Sequence, residues 1–474
     1  MYKKIALNTI ISVATRVVGT ILALFSIGFI TRHLGQGGFG EYSTILAYLY
    51  IFGVIADLGL YSLMLREISR PGAEEKKIAS NIFTIRIIAL FFTLILAPIV
   101  AILFPYSSQI KLGIIIGTSL YFFLSSSQVL VGIFQKYLKM ERVALAELSG
   151  RVIQLFLIIL FVKFNYGLFS IILAASVGSF LNFVIIYLLA QKLIKVRFAF
   201  DWNYWCYILK ESLPIAATIV LTLVYFKLDT IMLSLMKPIE HAGIYNVGYK
   251  VLENIIFFPA AFVGLTMPFL SRYANKENMG KFKEIFQKTF NFLVIALLPA
   301  ISGLFFLSLP IVLLIGGQGF SESKIVLQIL SFAIGIIFLG TLFGNAIIAL
   351  GLQKKAAWVY LAGAIANLGA NFLVIPRYSF VGAAFTTILT EFIVTALMLF
   401  IIWRAIKYFP SFKIFPKVIF ATLILSVFLY FFSGINMFLL VGFGVIIYLG
   451  ALYLVKGVAK EEMSLFFRVE KNNN

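Results

Sequence analysis

The chain has 474 residues, of which 62% are hydrophobic and only 12% are charged, and its mean hydropathy is +1.03. Soluble domains contain about 45–50% apolar and about 25% charged residues, so this composition excludes a soluble globular protein. The net charge of +20 raises the question of nucleic-acid binding. The basic residues are, however, scattered over short loops between apolar segments. This pattern argues against a nucleic-acid partner and favours the lipid bilayer as the environment of the chain.

Apolar segments long enough to cross a membrane recur along the whole chain. A transmembrane helix needs about 20 mostly apolar residues to span about 30 Å of hydrocarbon. The segments lack the polar–apolar alternation of outer-membrane barrel strands. The sequence therefore predicts an all-α integral membrane protein with about 14 transmembrane helices. In chain order, the predicted spans are 8–31, 42–65, 80–104, 110–134, 146–164, 168–190, 212–236, 243–270, 286–313, 324–350, 356–375, 380–403, 414–432 and 436–455.

The loops between these spans differ strongly in their content of lysine and arginine. When the loops are assigned alternately to the two sides of the membrane, one side holds 28 basic residues and the other holds 6. Cytoplasmic loops carry such an excess. The pattern predicts a multi-pass protein of the inner (plasma) membrane with both termini in the cytoplasm. Lys3 and Lys4 resemble the start of a signal peptide, but no small-residue cleavage site follows the first span, which favours a retained helix.

Two parts of the chain about 200 residues apart resemble each other. Gly40-Glu41-Tyr42 precedes an apolar helix that ends before Ser69-Arg70, and Gly243-Ile244-Tyr245 precedes one that ends before Ser271-Arg272. Each copy belongs to a set of six spans, an even number, so both copies enter the membrane in the same orientation. Repeats of this kind are related by a pseudo-twofold axis along the membrane normal, and the substrate site lies between them.

The repeat divides the chain into predicted domains. Residues 1–205 form an N-terminal six-helix lobe, residues 206–405 form a C-terminal six-helix lobe, and residues 406–474 hold helices 13 and 14 with a cytoplasmic tail. The segment 191–211 connects the two lobes. Its aromatic residues suit the membrane–water interface, where Trp and Tyr are enriched. These residues are Trp202, Tyr204, Trp205 and Tyr207.

Ionisable side chains inside the predicted spans are the most informative residues for function. Each costs about 2.5–3.5 kcal/mol at the centre of a membrane helix, so such residues face a protein interior or a water-filled cavity. Polar side chains form a stripe along the first span and a similar stripe along the eighth, and the third span carries a buried arginine. We predict that these residues line a central cavity and bind the substrate. They are Arg16, Arg86, Lys250, Asn8, Ser12 and Asn246.

Carboxylates inside the spans are candidates for a different role. Glu391 lies near the bilayer midplane, and no basic residue lies within four positions of it on its own helix. Such a carboxyl group is protonated, hydrogen-bonded within the bundle or an ion-coupling site. Glu391 and, as the alternative, Asp57 are therefore candidates for ion coupling, although Asp57 could instead pair with Arg16. Glu253 follows Lys250 by three residues, a spacing that allows an ion pair on one helix face.

Catalytic motifs are absent from the sequence. The only two histidines, His33 and His241, lie at external ends of predicted helices and belong to no cluster with metal-ligand spacing. The segment 35–40 fits the G-x-G-x-x-G pattern, but it lies in a loop between membrane helices rather than between a strand and a helix. No catalytic, metal or cofactor site is predicted, and an enzyme, such as a polytopic membrane transferase, is the disfavoured alternative.

Several motifs, spread over about 400 residues, together resemble one family of membrane transporters. That family is the oligosaccharide and polysaccharide flippases of the multidrug/oligosaccharidyl-lipid/polysaccharide exporter superfamily. The motifs are Arg32-His33-Leu34-Gly35, Gly40-Glu41-Tyr42, Asp57-Leu58-Gly59-Leu60, Arg66-Glu67, Asp229-Thr230-Ile231-Met232-Leu233, Gly243-Ile244-Tyr245, Asn371-Phe372-Leu373-Val374-Ile375-Pro376 and Gly382-Ala383-Ala384.

The resemblance implies a fold and a function. It implies two six-helix lobes with two additional C-terminal helices, and alternating access around a central cavity. The implied substrate is an undecaprenyl-pyrophosphate-linked oligosaccharide repeat unit, moved from the inner to the outer leaflet. Coupling to H⁺, to Na⁺ or to the membrane potential stays open. A polysaccharide polymerase and glycosyltransferases are the implied protein partners.

Two relatives of these flippases are the alternatives. Lipid II flippases carry a Ser-Arg-x-x-Gly-x-x-Arg-Asp pattern in the first helix. Here Arg16 and Gly19 fit that pattern, but Leu22 and Ala23 stand at the Arg-Asp positions, which disfavours a peptidoglycan precursor. Multidrug cation antiporters have twelve helices and acidic binding sites, so the fourteen predicted spans and Arg16 argue against them.

Overall fold

The computed structural model describes residues 2–275 and 277–457, without the side chains of residues 2–14, 16, 213–215 and 217–225. Within this part the chain is helical and contains no β-strand, so the predicted all-α membrane fold is confirmed. The helices are α1 Tyr2–Asp57, α2 Leu60–Ile68, α3 Glu75–Ile102, α4 Ser108–Lys136, α5 Met140–Lys163, α6 Leu168–Gln191, α7 Trp202–Met236, α8 Ile239–Ile255, α9 Phe257–Tyr273, α10 Met279–Phe306, α11 Ser308–Gly316, α12 Ser323–Ala349, α13 Gln353–Ile406, α14 Phe415–Phe431 and α15 Met437–Leu454.

Two of these helices are unusually long because each extends over more than one predicted span. α1 has 56 residues and departs from helical geometry at Gly35, where φ is +65°. Glycine adopts this left-handed conformation without the steric cost that a Cβ atom imposes. α13 has 54 residues and departs at Ser379, where φ is +51°. Apart from a residue or two at its ends, each predicted span falls within one helix or within two consecutive ones. Ten helical segments of the described chain, two of which join consecutive helices, are long and apolar enough to cross a membrane.

The second predicted span, 42–65, is broken along its length. α1 ends at Asp57, Leu58 and Gly59 have φ of +49° and +70°, and α2 begins at Leu60. Leu58 pays a steric cost in this conformation, since only glycine adopts it freely. A break at membrane depth is tolerated only where its backbone is buried in protein or lines a polar cavity. The break at Asp57-Leu58-Gly59 is therefore a candidate position for a functional site.

The chain divides into two compact units. Unit 1 comprises the chain up to Val247 together with Leu314–Phe320 and Ala364–Ala383. Unit 2 comprises Gly248–Leu313, Ser321–Gly363 and the chain from Ala384 onwards. The domain boundaries predicted at residues 205 and 405 follow the sequence repeat rather than this packing, and they stay a prediction.

An apolar cluster at one end of unit 1 fixes α2, α3, α4 and α6 against one another. Its members are fully or almost fully buried, and in a membrane such close packing supplies much of the attraction between helices. Representative members are Leu60, Leu63, Met64, Ile82, Val129, Ile133, Phe134 and Ile186. This cluster holds the short α2 in place after the break, and so positions the residues that follow Asp57.

The segment that connects α6 to α7 lies against the start of α3. Backbone N–H groups of Arg197 and Ala199 donate to Ser80 Oγ (3.1 Å) and Thr84 Oγ1 (3.0 Å). Alternate residues of an extended segment direct their N–H groups to the same side, and Ser80 and Thr84 share one face of α3. The hydroxyls of Ser80 and Thr84 on α3 thus accept hydrogen bonds that the backbone carbonyl groups of a neighbouring strand would accept in a β-sheet.

Asn81 completes this attachment. Its Oδ1 accepts hydrogen bonds from the backbone N–H of Asp201 (3.0 Å) and from Trp205 Nε1 (2.9 Å). Lys77 Nζ lies 2.8 Å from Asp201 Oδ2, and this hydrogen bond lowers the pKa of the Asp201 carboxyl. Trp205 is buried, whereas Trp202 is exposed. The indole of Trp205 is therefore held inside unit 1 by Asn81, and the membrane-interface position predicted for this aromatic segment stays a prediction.

We expect Asn81→Ala to destabilise the protein by about 1–3 kcal/mol, because it leaves two N–H donors, one of them a buried indole, without their acceptor. The measurement is thermal unfolding in detergent, together with proteolysis of the 192–201 segment. Asn81→Asp keeps the acceptor oxygen, so it should lose less stability than Asn81→Ala. The matched control is Asn203→Ala, since Asn203 is exposed on the first turn of α7. Equal stability of the Asn81→Ala and Asn203→Ala variants would contradict this account.

Candidate functional site

A cavity of about 370 Å³, whose lining is mostly apolar but includes several polar side chains, lies in unit 1 beside the break in the second span. Its volume falls in the range of about 300–1,000 Å³ that is typical of small-molecule sites. Side chains from α1, α2, α4 and α5 line it. They are Tyr50, Gly53, Val54, Asp57, Tyr61, Tyr121, Leu124, Ser125, Gln128, Val131 and Glu147.

Asp57 occupies the end of α1 at the edge of this cavity. The C-terminal end of a helix carries partial negative charge, which disfavours a carboxylate there. Arg86 compensates, because its Nη1 lies 2.9 Å from Asp57 Oδ1. The Arg86 side chain is 0% exposed and that of Asp57 is 17% exposed. The Arg86 side chain thus lies outside the cavity lining, whereas the Asp57 carboxylate is part of it.

The guanidinium of Arg86 makes only some of the hydrogen bonds that it could donate. Its Nε donates to the carbonyl oxygen of Ser125 at 3.2 Å. Nη2 has no hydrogen-bond partner among the described residues, and Nη1 makes its ion-pair contact with Asp57 without hydrogen-bond alignment. A buried charge of this kind is tolerated only because an opposite charge lies beside it. Asp57 and Arg86 therefore depend on each other.

The remaining polar lining residues belong to helices on either side of Asp57. Gln128 on α4 and Glu147 on α5 are exposed, although both positions lie within predicted spans. The hydroxyl of Tyr61 donates to Gln135 Oε1 (2.6 Å), and that of Tyr121 donates to the carbonyl oxygen of Leu46 (2.7 Å). These bonds hold the two rings in place. The site thus offers carboxylate, amide and hydroxyl groups beside aromatic rings.

Of the residues predicted to bind substrate, Arg86 is in the same unit as the cavity but does not line it. Its burial behind Asp57 gives no support to direct contact with a substrate. Asn246 is also buried, and its amide is satisfied by the carbonyl oxygen of Ala242 (2.8 Å) and the hydroxyl of Thr230 (3.2 Å). The side chains of Asn8, Ser12 and Arg16 lie outside the described residues. The binding role of these three stays a prediction.

Two predicted residues belong to unit 2. Lys250 Nζ lies 2.6 Å from Glu253 Oε2, so the ion pair expected from their spacing is confirmed. The substrate contact predicted for Lys250 stays a prediction. Glu391 on α13 is buried, with 4% of its surface exposed. Its coupling role also stays a prediction. For Asp57, the structure provides Arg86 as the counter-ion, a pairing that the sequence did not suggest.

A second buried polar cluster in unit 1 surrounds Asp229, which is 3% exposed. Tyr245 Oη donates to Asp229 Oδ2 at 2.9 Å, and the Nδ2 atoms of Asn367 and Asn371 donate to Oδ1 at 3.0 and 2.6 Å. Three hydrogen-bond donors thus converge on the carboxylate of Asp229. No site was predicted here from the sequence. The available signal was the spacing of Asn367 and Asn371, which places two amides on one helix face inside an apolar span.

The two histidines make hydrogen bonds within unit 1. His33 Nε2 lies 2.7 Å from the carbonyl oxygen of Tyr166, and His241 Nδ1 lies 2.6 Å from Ser379 Oγ. Among the described residues, no group of three or more His, Cys, Asp or Glu side chains is arranged to hold a metal ion.

Membrane-spanning helices with an internal break and buried ionisable groups define a polytopic membrane protein of the transporter type. The fold is similar to that of a solved lipid II flippase, MurJ, in an inward closed conformation. The TM-score is 0.77, the identity is 17%, and the match covers 97% of this chain and 99% of that one. At this identity, the likeness shows the fold alone.

The family described as "Polysaccharide biosynthesis protein" matches residues 5–274, more than half of the chain, and the chain belongs to this family. It is 28% identical to an uncharacterised membrane protein of Methanocaldococcus jannaschii over 365 residues, 71% of this chain and 84% of that protein. It is 25% identical to the capsular polysaccharide biosynthesis protein CapF of Staphylococcus aureus over 284 residues, 59% of this chain and 72% of that protein. The family resemblance predicted from the sequence is thus confirmed.

Proposed function

We propose that this protein is a flippase that moves undecaprenyl-pyrophosphate-linked oligosaccharide repeat units from the inner to the outer leaflet of the plasma membrane. The observation that carries the proposal is the cavity lined by Asp57, Gln128 and Glu147 beside the broken second span, because it lies within the part of the chain that matches the polysaccharide family. A transporter of this kind works by alternating access and is not an enzyme.

The physical task explains why such a cavity is needed. A charged and hydrated headgroup pays a heavy desolvation cost in hydrocarbon, so it does not cross a bilayer unaided. Polar side chains at membrane depth replace part of its water, while the prenyl chain stays in lipid. Each such residue is itself costly to bury, which argues that it serves the transport step.

Arg16 and Lys250 are the residues that we assign to the pyrophosphate. A guanidinium binds phosphate oxygens in a bidentate manner, and an ammonium adds a point charge. Coupling of transport to H⁺, Na⁺ or the membrane potential is assigned to Glu391, with Asp57 as the alternative. Asp57 is already paired with Arg86, whose Nη1 lies 2.9 Å away, which weakens the case for Asp57 as the coupling residue.

Lipid II transport is the second candidate, because the fold matches a lipid II flippase over nearly the whole chain. The substitution of Leu22 and Ala23 for the Arg-Asp pair of those proteins disfavours it. The two candidates share a prenyl pyrophosphate and differ in the attached group. The headgroup that binds therefore separates them.

A binding experiment tests the proposal. The protein is purified into lipid nanodiscs, and mass spectrometry identifies the prenyl-linked lipids that copurify when it is expressed in cells that synthesise both lipid II and a polysaccharide repeat unit. We expect enrichment of the oligosaccharide-linked lipid over lipid II, with loss of both upon Arg16→Ala. Preferential enrichment of lipid II would favour the second candidate, and enrichment of neither would contradict both.

The distribution of basic residues makes a separate prediction about topology. In a Cys206→Ser background, single cysteines that replace Lys3 and Lys471 should resist a membrane-impermeant maleimide added to intact cells. A cysteine at Ser321, which is exposed in the 316–324 loop, should react. The label pattern after cell lysis is the control for access. Reaction of position 471 in intact cells would contradict the cytoplasmic C-terminus.

A further inference from the structure

Three exposed aromatic side chains lie between the sixth and seventh predicted spans. Phe198, Phe200 and Trp202 are 72%, 70% and 63% exposed. The rings of Phe200 and Trp202 are stacked, with centroids 6.3 Å apart, so they form a continuous apolar surface. The predicted spans on either side end at residue 190 and begin at residue 212. These rings therefore lie outside the spans, where an exposed apolar patch marks an interaction surface.

The segment that carries these rings is attached to the part of α3 where a predicted span begins. Three of its backbone N–H groups donate to polar side chains near the start of α3, as described above. The ring centroid of Phe198 lies 5.9 Å from that of Phe83. The third predicted span begins at residue 80. This attachment places the exposed rings at the level where membrane and water meet, and it fixes the backbone that carries them.

The same segment carries three exposed cations, Lys192, Lys195 and Arg197. None of the three side chains forms an ion pair with a carboxylate in the part of the chain that the structure describes. The carboxylate of the segment itself, Asp201, is paired with Lys77 at 2.8 Å. Basic loops also set the topology of membrane proteins, but that role requires neither exposed rings nor a fixed backbone. The three cations are therefore available to an external anion.

We propose that this segment binds the headgroups of anionic phospholipids. The binding surface, which we call the basic–aromatic surface, consists of Lys192, Lys195, Arg197, Phe198, Phe200 and Trp202. Lysine and arginine bind phosphate oxygens, and aromatic rings lie among the headgroups and the first carbons of the acyl chains. The segment belongs to the basic loops, which are predicted to be cytoplasmic, so the lipids are those of the inner leaflet. The inference goes beyond the proposed flippase function and does not depend on which lipid is transported.

Quenching of Trp202 by brominated lipids tests the surface in purified protein. Nanodiscs of phosphatidylcholine contain a minor fraction of either brominated phosphatidylglycerol or brominated phosphatidylcholine, with the bromine atoms near the glycerol end of the chain. The difference between wild-type protein and Trp202→Phe isolates the emission of Trp202. A basic residue near an anionic surface contributes about a fivefold preference, so brominated phosphatidylglycerol should quench Trp202 about two to three times as strongly as brominated phosphatidylcholine.

Two triple variants show whether the preference belongs to this surface. Lys192→Gln, Lys195→Gln and Arg197→Gln together should make the two lipids quench Trp202 equally. The matched control combines Lys281→Gln, Lys355→Gln and Lys413→Gln, which remove the same charge from three exposed positions in other loops. This control should keep the wild-type preference, and thermal unfolding in detergent should be the same for both triple variants.

Several results would overturn the lipid site, and none of them bears on transport. Equal quenching of wild-type Trp202 by the two lipids, or quenching by neither, would do so. A preference that survives in the first triple variant, or that the control loses to the same extent, would show that this surface does not select the lipid. Binding of poly-glutamate that requires the three cations, together with equal quenching by both lipids, would replace the lipid with an acidic protein partner.

Discussion

Replacement of Arg86 by leucine should produce the largest loss of stability of any single substitution in unit 1. The substitution leaves the Asp57 carboxylate at a helix C-terminus without its counter-ion, and removal of one partner of a buried pair costs about 3–5 kcal/mol. It also removes the donor to the Ser125 carbonyl oxygen. We expect lower yield and a lower midpoint of thermal unfolding in detergent. Arg86→Lys should lie between this variant and wild type, because lysine keeps the charge but not the geometry.

A double variant and a surface control make this prediction specific. When Asp57→Leu accompanies Arg86→Leu, no charge is left buried, and stability should recover in part. Lys288→Leu removes one partner of the exposed Lys288–Glu284 pair, whose side chains are 49% and 60% exposed. Such pairs contribute about 0.3–0.5 kcal/mol, so this control should unfold like wild type. An Arg86→Leu protein with wild-type stability would show that the ion pair is not required.

Replacement of Gly40 by valine should have the second-largest effect, because two backbones approach closely at this point of unit 1. A Cβ atom on Gly40 would lie 2.1 Å from the carbonyl oxygen of Ile239, and one on Gly243 would lie 2.2 Å from that of Gln36. These contacts are reciprocal. Neither carbonyl oxygen can move unless the helix that carries it also moves. We expect a loss of at least about 1–3 kcal/mol, the usual cost of overpacking. Thermal unfolding measures it.

Cross-linking and a matched glycine variant complete this test. Cysteines at Gln36 and Ile239 should cross-link in the wild-type background and much less when Gly40→Val is added. Gly442 lies within α15, and no atom lies within 4 Å of the Cβ position there. Gly442→Ala should therefore be neutral or stabilising by up to about 1 kcal/mol. Unchanged stability and cross-linking of the Gly40→Val protein would contradict the close approach.

Part of the fold was predictable from the sequence alone. Hydropathy predicted the helical membrane fold, because every span must satisfy its own backbone hydrogen bonds and so needs a continuous apolar segment. The Gly-x-Tyr repeat was visible in the sequence. The close approach of Gly40 to the first turn of α8 was not visible, since no local pattern encodes which backbones meet.

The site was less predictable than the fold. Asp57 was a candidate, but the break after it depends on the left-handed conformation of Leu58, which leucine rarely adopts. Only the surrounding packing of α2 imposes that conformation. Arg86 was assigned to the substrate because a cation in a span suggests an anionic ligand. Its actual partner, Asp57, comes from another helix, and such pairings become evident only in three dimensions.

The most direct test of the proposed function is transport by the purified protein. Proteoliposomes are prepared with a fluorescent undecaprenyl-pyrophosphate oligosaccharide, and a membrane-impermeant reductant reports how much of it reaches the outer leaflet. We predict rapid loss of nearly all fluorescence with wild-type protein and loss of about half with protein-free liposomes. The Arg16→Ala variant should flip this lipid more slowly, because it lacks the guanidinium that we assign to the pyrophosphate. Wild-type proteoliposomes that match protein-free liposomes, under H⁺ and Na⁺ gradients and a membrane potential alike, would contradict the flippase function.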